Sequence, residues 1–193
     1  MKKKCFSILV FASLLLSFFS SCASVKEEVR LNKVYVTNTT PVSLLAPSSI
    51  KTQIEQMQYF EGIFGKNSFS SMLYLQADSN EIQILMLNEM GIEIGSLFYD
   101  GKTCTMESSF FPKNLKAEYI ILDLQNAYAD VQELKSHYKK YGLDFTQNGS
   151  VRTLSKNGTL IEQITQQGST VIIENTLRGY TYRLTSGEKQ STL

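Results

Sequence analysis

The sequence predicts an α+β domain in which a long, curled antiparallel sheet is interrupted once by two helices that cover its apolar face. Three observations lead there. Strand-length, β-rich runs punctuated by turn residues fill residues 50–108 and again 143–185. Between those blocks the apolar spacing changes from every second residue to every third and fourth. The connections between runs are short, which suits antiparallel neighbours, because parallel pairs need crossovers of a dozen or more residues.

At the N-terminus, Met1-Lys2-Lys3-Lys4 precedes an apolar run over about residues 5–19 and the small pair Ser20-Ser21, the order of a secretory signal peptide. The run falls short of the roughly 20 apolar residues that span a bilayer core. The polar Lys26-Glu27-Glu28 follows it without a stop-transfer pattern, so a permanent transmembrane helix is the weaker reading. Phe19-Ser20-Ser21-Cys22 resembles the bacterial lipobox, with Phe19 in the place of the usual leucine. That resemblance implies removal of residues 1–21, acylation of Cys22, and a membrane partner held through the N-terminal lipid. An ordinary secretory signal cut nearby is the alternative. Ala23, where many inner-membrane lipoproteins carry aspartate, resembles an outer-membrane address facing the periplasm.

Loss of the signal removes three lysines and no acids, leaving 16 basic against 18 acidic groups. A chain so balanced, with no Lys/Arg cluster, offers no electrostatic footprint for nucleic acid. Of the three cysteines, Cys5 leaves with the signal and Cys22 is taken by lipid, so Cys104 stands alone and reads as a small buried hydrophobe. With His137 the one histidine, no metal site and no cofactor is expected; His137 itself reads as a solvated helix position.

Residues 22–32 are short, charged and aperiodic, as a tether between lipid and body would be, and residues 33–193 are one domain's worth of chain. In that body a short strand over 33–37 ends at Asn38-Thr39-Thr40-Pro41. Strands are then expected over 50–60, where Ile50, Ile54 and Met57 would also suit a helix, and over 68–77, 81–87, 92–99 and 102–108, with Glu61-Gly62, Gly65-Lys66-Asn67, Asp78-Ser79-Asn80, Asn88-Glu89-Met90-Gly91 and Asp100-Gly101 as breaks. Helices are expected over 115–128 and 131–141, the second capped by Asp130 and stopped by Gly142. Five more strands follow over 143–147, 150–155, 160–166, 170–174 and 180–185. About ten twisted strands cannot lie flat; they curl, split or close. By alternation, Phe69, Leu73 and Leu75 share one face, as do Ile82, Ile84 and Met86, and then Ile92, Ile94 and Phe98.

Five stretches together resemble a family of bacterial lipoproteins of unknown function that is grouped with the LolA and LolB lipoprotein carriers. They are Leu44-Leu45-Ala46-Pro47, Leu97-Phe98-Tyr99-Asp100-Gly101, Tyr119-Ile120-Ile121-Leu122-Asp123-Leu124-Gln125, Arg152-Thr153-Leu154 and Asn175-Thr176-Leu177-Arg178-Gly179-Tyr180. The resemblance implies an incomplete, half-open β-barrel whose mouth is covered by helices around an apolar cavity for a lipid or the acyl chains of a lipoprotein. On that reading Phe69, Leu73, Ile84, Met86, Ile94 and Phe98 line the cavity beneath helices around Leu122 and Leu134. The alternative is a non-catalytic envelope scaffold or interaction protein without a ligand. No nucleophile elbow, phosphate loop or dinucleotide fingerprint appears, so an enzyme is not expected. Asp100 and Asp130 read as turn and cap residues, and Asp123 as a helix residue that could pair with Arg152.

Overall fold

The computed structural model describes residues 25–30, 33–108 and 116–187; the signal peptide, Cys22 and Ala23 lie outside them. Five strands form a first meander: β4 (Ile54–Phe64), β5 (Asn67–Ala77), β6 (Ile82–Leu87), β7 (Glu93–Tyr99) and β8 (Thr103–Ser108). Helices α1 (Ala117–Tyr128) and α2 (Val131–Lys139) follow. A second meander comprises β9 (Asp144–Asn148), β10 (Val151–Lys156), β11 (Thr159–Gln167), β12 (Thr170–Asn175) and β13 (Tyr180–Ser186). The halves join where the last strand pairs with the first long one, Leu184 opposite Phe60. With β1 (Val25–Arg30) added beside β8, the result is one open antiparallel sheet in the order β1-β8-β7-β6-β5-β4-β13-β12-β11-β10-β9. The chain leaves β8 near one edge and re-enters at β9 on the other, so the helical insert must cross the sheet.

A small separate hairpin pairs β2 (Val34–Thr37) with β3 (Thr40–Val42), and a 3-10 turn at Pro47–Ser49 leads to β4. The stretch between is pinned to α1: Gln125 donates to the Leu45 carbonyl at 2.6 Å and accepts from the Leu45 N–H at 3.0 Å, while the Tyr99 hydroxyl donates to the same carbonyl at 2.8 Å. Satisfying the Leu45 peptide lets the flanking Val42 and Ile50 join the core.

Several expectations need correction. Residues 25–30, read as an unstructured tether, form β1, with Val25 opposite Ser108. The first long strand does not end at Glu61-Gly62 but runs on to Phe64, because the bare Gly62 accommodates three rings: a Cβ there would lie 3.0–3.2 Å from Phe69, Phe64 and Phe60. The register shift between Met86 and Leu87 turns the third apolar run over. Gly95, Leu97 and Tyr99 are therefore buried, and Phe98 pairs with Gln83 on the side away from the helices. The hairpin before β8 forms, but its tip is one residue later than expected: the Asp100 N–H bonds the Thr103 carbonyl, leaving Gly101 (φ 88°) and Lys102 at the turn. Asp130 caps α2 as expected, accepting from Gln132 and Glu133 N–H at 3.0 and 2.9 Å.

Candidate functional site

Between the sheet and α1 lies a cavity of about 40 Å³. Alternation along the strands supplies its walls: Phe60 and Phe64 from β4, Phe69 and Leu73 from β5, Ile84 and Met86 from β6, and Tyr182 and Leu184 from β13. Helix α1 roofs it with Ile120, Asp123 and Leu124. Apart from Asp123 and Ser96 the lining is apolar. Five rings crowd one end. Phe64 stacks on Phe69 at 5.6 Å, Phe60 meets Phe69 at 5.3 Å and Tyr182 at 5.5 Å, and Tyr180 stacks on Tyr182 at 4.8 Å. Such pairs contribute about 0.5–1.5 kcal/mol each beyond their buried area.

Of the residues expected to line a cavity, Phe69, Leu73, Ile84 and Met86 do so. Ile94 is half-buried against the core but is not part of the wall, and Phe98 is on the outer side of the sheet. Leu122 and Leu134 are buried elsewhere in the core, because neighbouring helix positions point about 100° apart: the roof is made by positions 120, 123 and 124 instead. Phe60, Phe64, Tyr182 and Leu184 were not anticipated. Their period-two spacing in 60/62/64 and 180/182/184 is the signal that marks them, obscured by reading Glu61-Gly62 as a turn.

Beside the cavity sits a buried polar network. Asp123 and Glu162 are 2% and 1% exposed, and their carboxyl groups contact one another. Tyr180 donates to Asp123 Oδ2 at 2.8 Å, Asn126 donates to Glu162 Oε2 at 2.6 Å, and the Tyr138 hydroxyl donates to Asn126 Oδ1 at 2.5 Å. Burial raises both acids, pushing Asp123 up to about 7 and Glu162 well above its ordinary range. Two buried carboxylates cannot both ionise side by side, so the pair keeps a proton between them, and Glu162 Oε1 is buried with no other hydrogen-bond partner. No local pattern marks this pairing, since Glu162 belongs to a strand 39 residues from Asp123 on the helix. The network ties α1 to β11 and β13 and, through Tyr138, to α2.

Arg152 does not pair with Asp123. It donates to the Asn126 and Ala129 carbonyls, both at 3.0 Å, and so satisfies the C-terminal end of α1. His137, expected in solvent, is buried against Tyr141 with Nε2 2.8 Å from the Ser43 carbonyl; burial lowers its pKa and keeps it a neutral donor. Cys104 is fully buried and its thiol is pushed up to about 12 by desolvation, far from reactive. Among the described residues no helix is long and apolar enough to cross a membrane.

Residues 55–188 match a family described as a protein of unknown function, DUF3261. No curated protein matches the chain.

Proposed function

The chain belongs to the DUF3261 family of proteins of unknown function, and from that premise we propose that it is a non-enzymatic lipoprotein of the outer membrane that takes an acyl chain, of a lipid or of a lipoprotein, between its sheet and α1 as carrier or acceptor. The carrying observation is the cavity: a wall of Phe, Leu, Ile and Met side chains under a helix that crosses an open sheet. On this reading the sheet is the half-barrel of a LolA/LolB-like carrier. Each CH₂ moved from water into the cavity contributes about 0.8 kcal/mol, so sequestration alone supplies the function and no bond need be made or broken.

Size decides what must move. Sites for ligands of this size occupy roughly 300–1,000 Å³, and the cavity encloses about 40 Å³. An acyl chain therefore enters only if Phe60, Phe64, Phe69 and Tyr182 withdraw and α1 lifts at its N-terminal half. Most polar ties are further along, at Asp123, Gln125 and Tyr128, the last bonded to Gln58 at 3.3 Å, so the lift must break the exposed contact of Arg178 with the Tyr119 hydroxyl at 3.2 Å. The same small volume favours a second reading, a filled core in an envelope scaffold.

Ile84→Trp separates the two. A carrier is expected to lose binding of a fluorescent fatty acid at least tenfold while melting within a few degrees of the parent. Unchanged binding in a destabilised variant, or no binding by the parent, would sink the acyl-chain reading; overpacking a dense core costs typically 1–3 kcal/mol. Anchoring is tested apart from this. Cys22→Ala is expected to give a protein that incorporates no labelled palmitate and leaves the membrane fraction, and a variant that stays lipid-labelled there would refute it.

A further inference from the structure

The inner face of the sheet does not end at the apolar cavity. Four of the elements that line it run on into a second, open cleft of about 890 Å³ at the C-terminal end of α1. Ser186 of β13 follows Leu184 by one inward position, Val171 of β12 precedes Ile173 by one, and Tyr128 of α1 is one turn beyond Leu124. On β4 the inward positions run from Phe60 in the cavity through Gln58 to Gln56 in the cleft. Gln58 is the partition between the two spaces. Its Nε2 donates to the Tyr128 hydroxyl at 3.3 Å and to the Ser186 hydroxyl at 3.2 Å, and its Oε1 is buried without a partner among the described residues.

The chemistry changes across that partition from Phe, Leu, Ile and Met to amide, hydroxyl and guanidinium. Arg152, half-buried, is the one cation among the described residues that line the cleft. Its Nη1 serves the carbonyl end of α1; among the described residues its Nε and Nη2 have no hydrogen-bond partner, and it forms no ion pair. Two acids are near enough to matter, and both are engaged. Asp130, which acts on Arg152 through space, caps α2, and the exposed Glu55 accepts from the Tyr74 hydroxyl at 3.0 Å. A guanidinium drawn out of water without a counter-anion is unfavourable, and bonding two carbonyls occupies one of its three nitrogens. The rest of the fork has the shape that holds a carboxylate or phosphate through two parallel bonds. The Tyr128 and Ser186 hydroxyls, which accept from Gln58, each keep a proton to donate.

We infer that this cleft binds the oxyanion head, phosphate or carboxylate, of a single-chain amphiphile through Nε and Nη2 of Arg152, with the tail lying beyond Gln58 in the apolar cavity. The anion sits on the side of the guanidinium away from α1, whose carbonyl end repels negative charge. Sites for small ligands occupy roughly 300–1,000 Å³, a range that the cleft meets and the cavity by itself does not. One chain is specified because the partition is one side chain wide. A tail passing it turns the Gln58 carboxamide into the cleft, where water satisfies Oε1. The tail rests on the acyl-chain reading proposed above; the head rests on the cleft alone.

The full chain carrying Cys22→Ala, with no lipid of its own to compete, is titrated by calorimetry with dodecyl phosphate, dodecanoate, monododecanoylglycerol and glycerol 3-phosphate. The two anionic amphiphiles are expected to bind about tenfold tighter than the uncharged ester of the same tail, the gain of charge-assisted hydrogen bonds. Arg152→Gln, whose amide still donates to the α1 carbonyls, is expected to abolish that preference and leave the ester bound as before. Arg152→Lys, which keeps the charge without the fork, is expected to fall between. Equal affinity of the parent for charged and uncharged amphiphiles, or an equal loss for all of them in both Arg152 variants, would overturn the head site and leave the acyl-chain reading standing. Glycerol 3-phosphate bound by the parent but not by Arg152→Gln, with no affinity for the ester, would keep the head site and remove the tail. Binding of none of the four would overturn both.

Discussion

Raising the pH from about 5 to about 8 is expected to destabilise the protein by an amount on the order of 3 kcal/mol, and the double variant Asp123→Asn, Glu162→Gln is expected to lose most of that dependence. Both acids have folded pKa values above their unfolded ones, Asp123 up to about 7 and Glu162 well higher, through burial. Unfolded, both titrate near 4. Between those limits the folded chain binds more protons than the unfolded chain, so stability falls as pH rises. The contribution is fully present below about pH 4; the share of Asp123 is lost as pH passes through its folded value of about 7, and that of Glu162 over a higher range. His137 and Asp100, whose values are lowered, act in the opposite direction, but both are unchanged in the double variant and cancel in the comparison. The amides keep the hydrogen bonds: Asn at 123 still accepts from Tyr180, and Gln at 162 still accepts from Asn126. Urea denaturation at one-unit pH steps measures the slope, and parallel slopes for parent and variant would show that the pair binds no more protons folded than unfolded, which would overturn the raised values.

Ile121→Ala is expected to cost about 3–4 kcal/mol, within the range for deleting a buried isoleucine, and to lower the melting temperature by about 10 °C. Ile121 is fully buried and anchors α1 to the core. Its neighbour Ile120 is half-buried and lines the cavity, so Ile120→Ala should cost distinctly less and enlarge the space available to a ligand. The contrast is diagnostic because the two residues share helix, chemistry and volume. Equal small losses at both positions, read by thermal melts, would mean that α1 rests on the sheet only through its polar ties.

The local vocabulary was legible in the sequence. Alternation over 68–77 and 81–87 marked β5 and β6 and their buried faces, because the side-chain period of a strand is two whatever it pairs with. Asp130 could be identified as a cap because its partners, the N–H groups of Gln132 and Glu133, are within one turn. Gly101 likewise announced a hairpin, though the one-residue offset of its tip depended on how Asp100 and Thr103 bonded across it. Each of these is a contact between near neighbours, for which the chain itself supplies the geometry.

What the tertiary structure decided involves distant partners. The shift between Met86 and Leu87 put Leu97 inside and Phe98 outside, and no local propensity distinguishes those two faces. The union of β4 with β13 created the ring cluster around Gly62 and so turned an apparent break into the middle of a strand. Asp123 and Glu162 are each unremarkable alone; only when α1 is laid across β11 do they become a proton-sharing pair, since burial and proximity, not residue type, set their ionisation. The sequence by itself determined the strands, the helices and their caps, because those follow from backbone sterics and periodicity. Which apolar side chains meet around the cavity, and which acids meet beside it, was decided by the closure of contacts far apart in the chain, which no short-range pattern encodes.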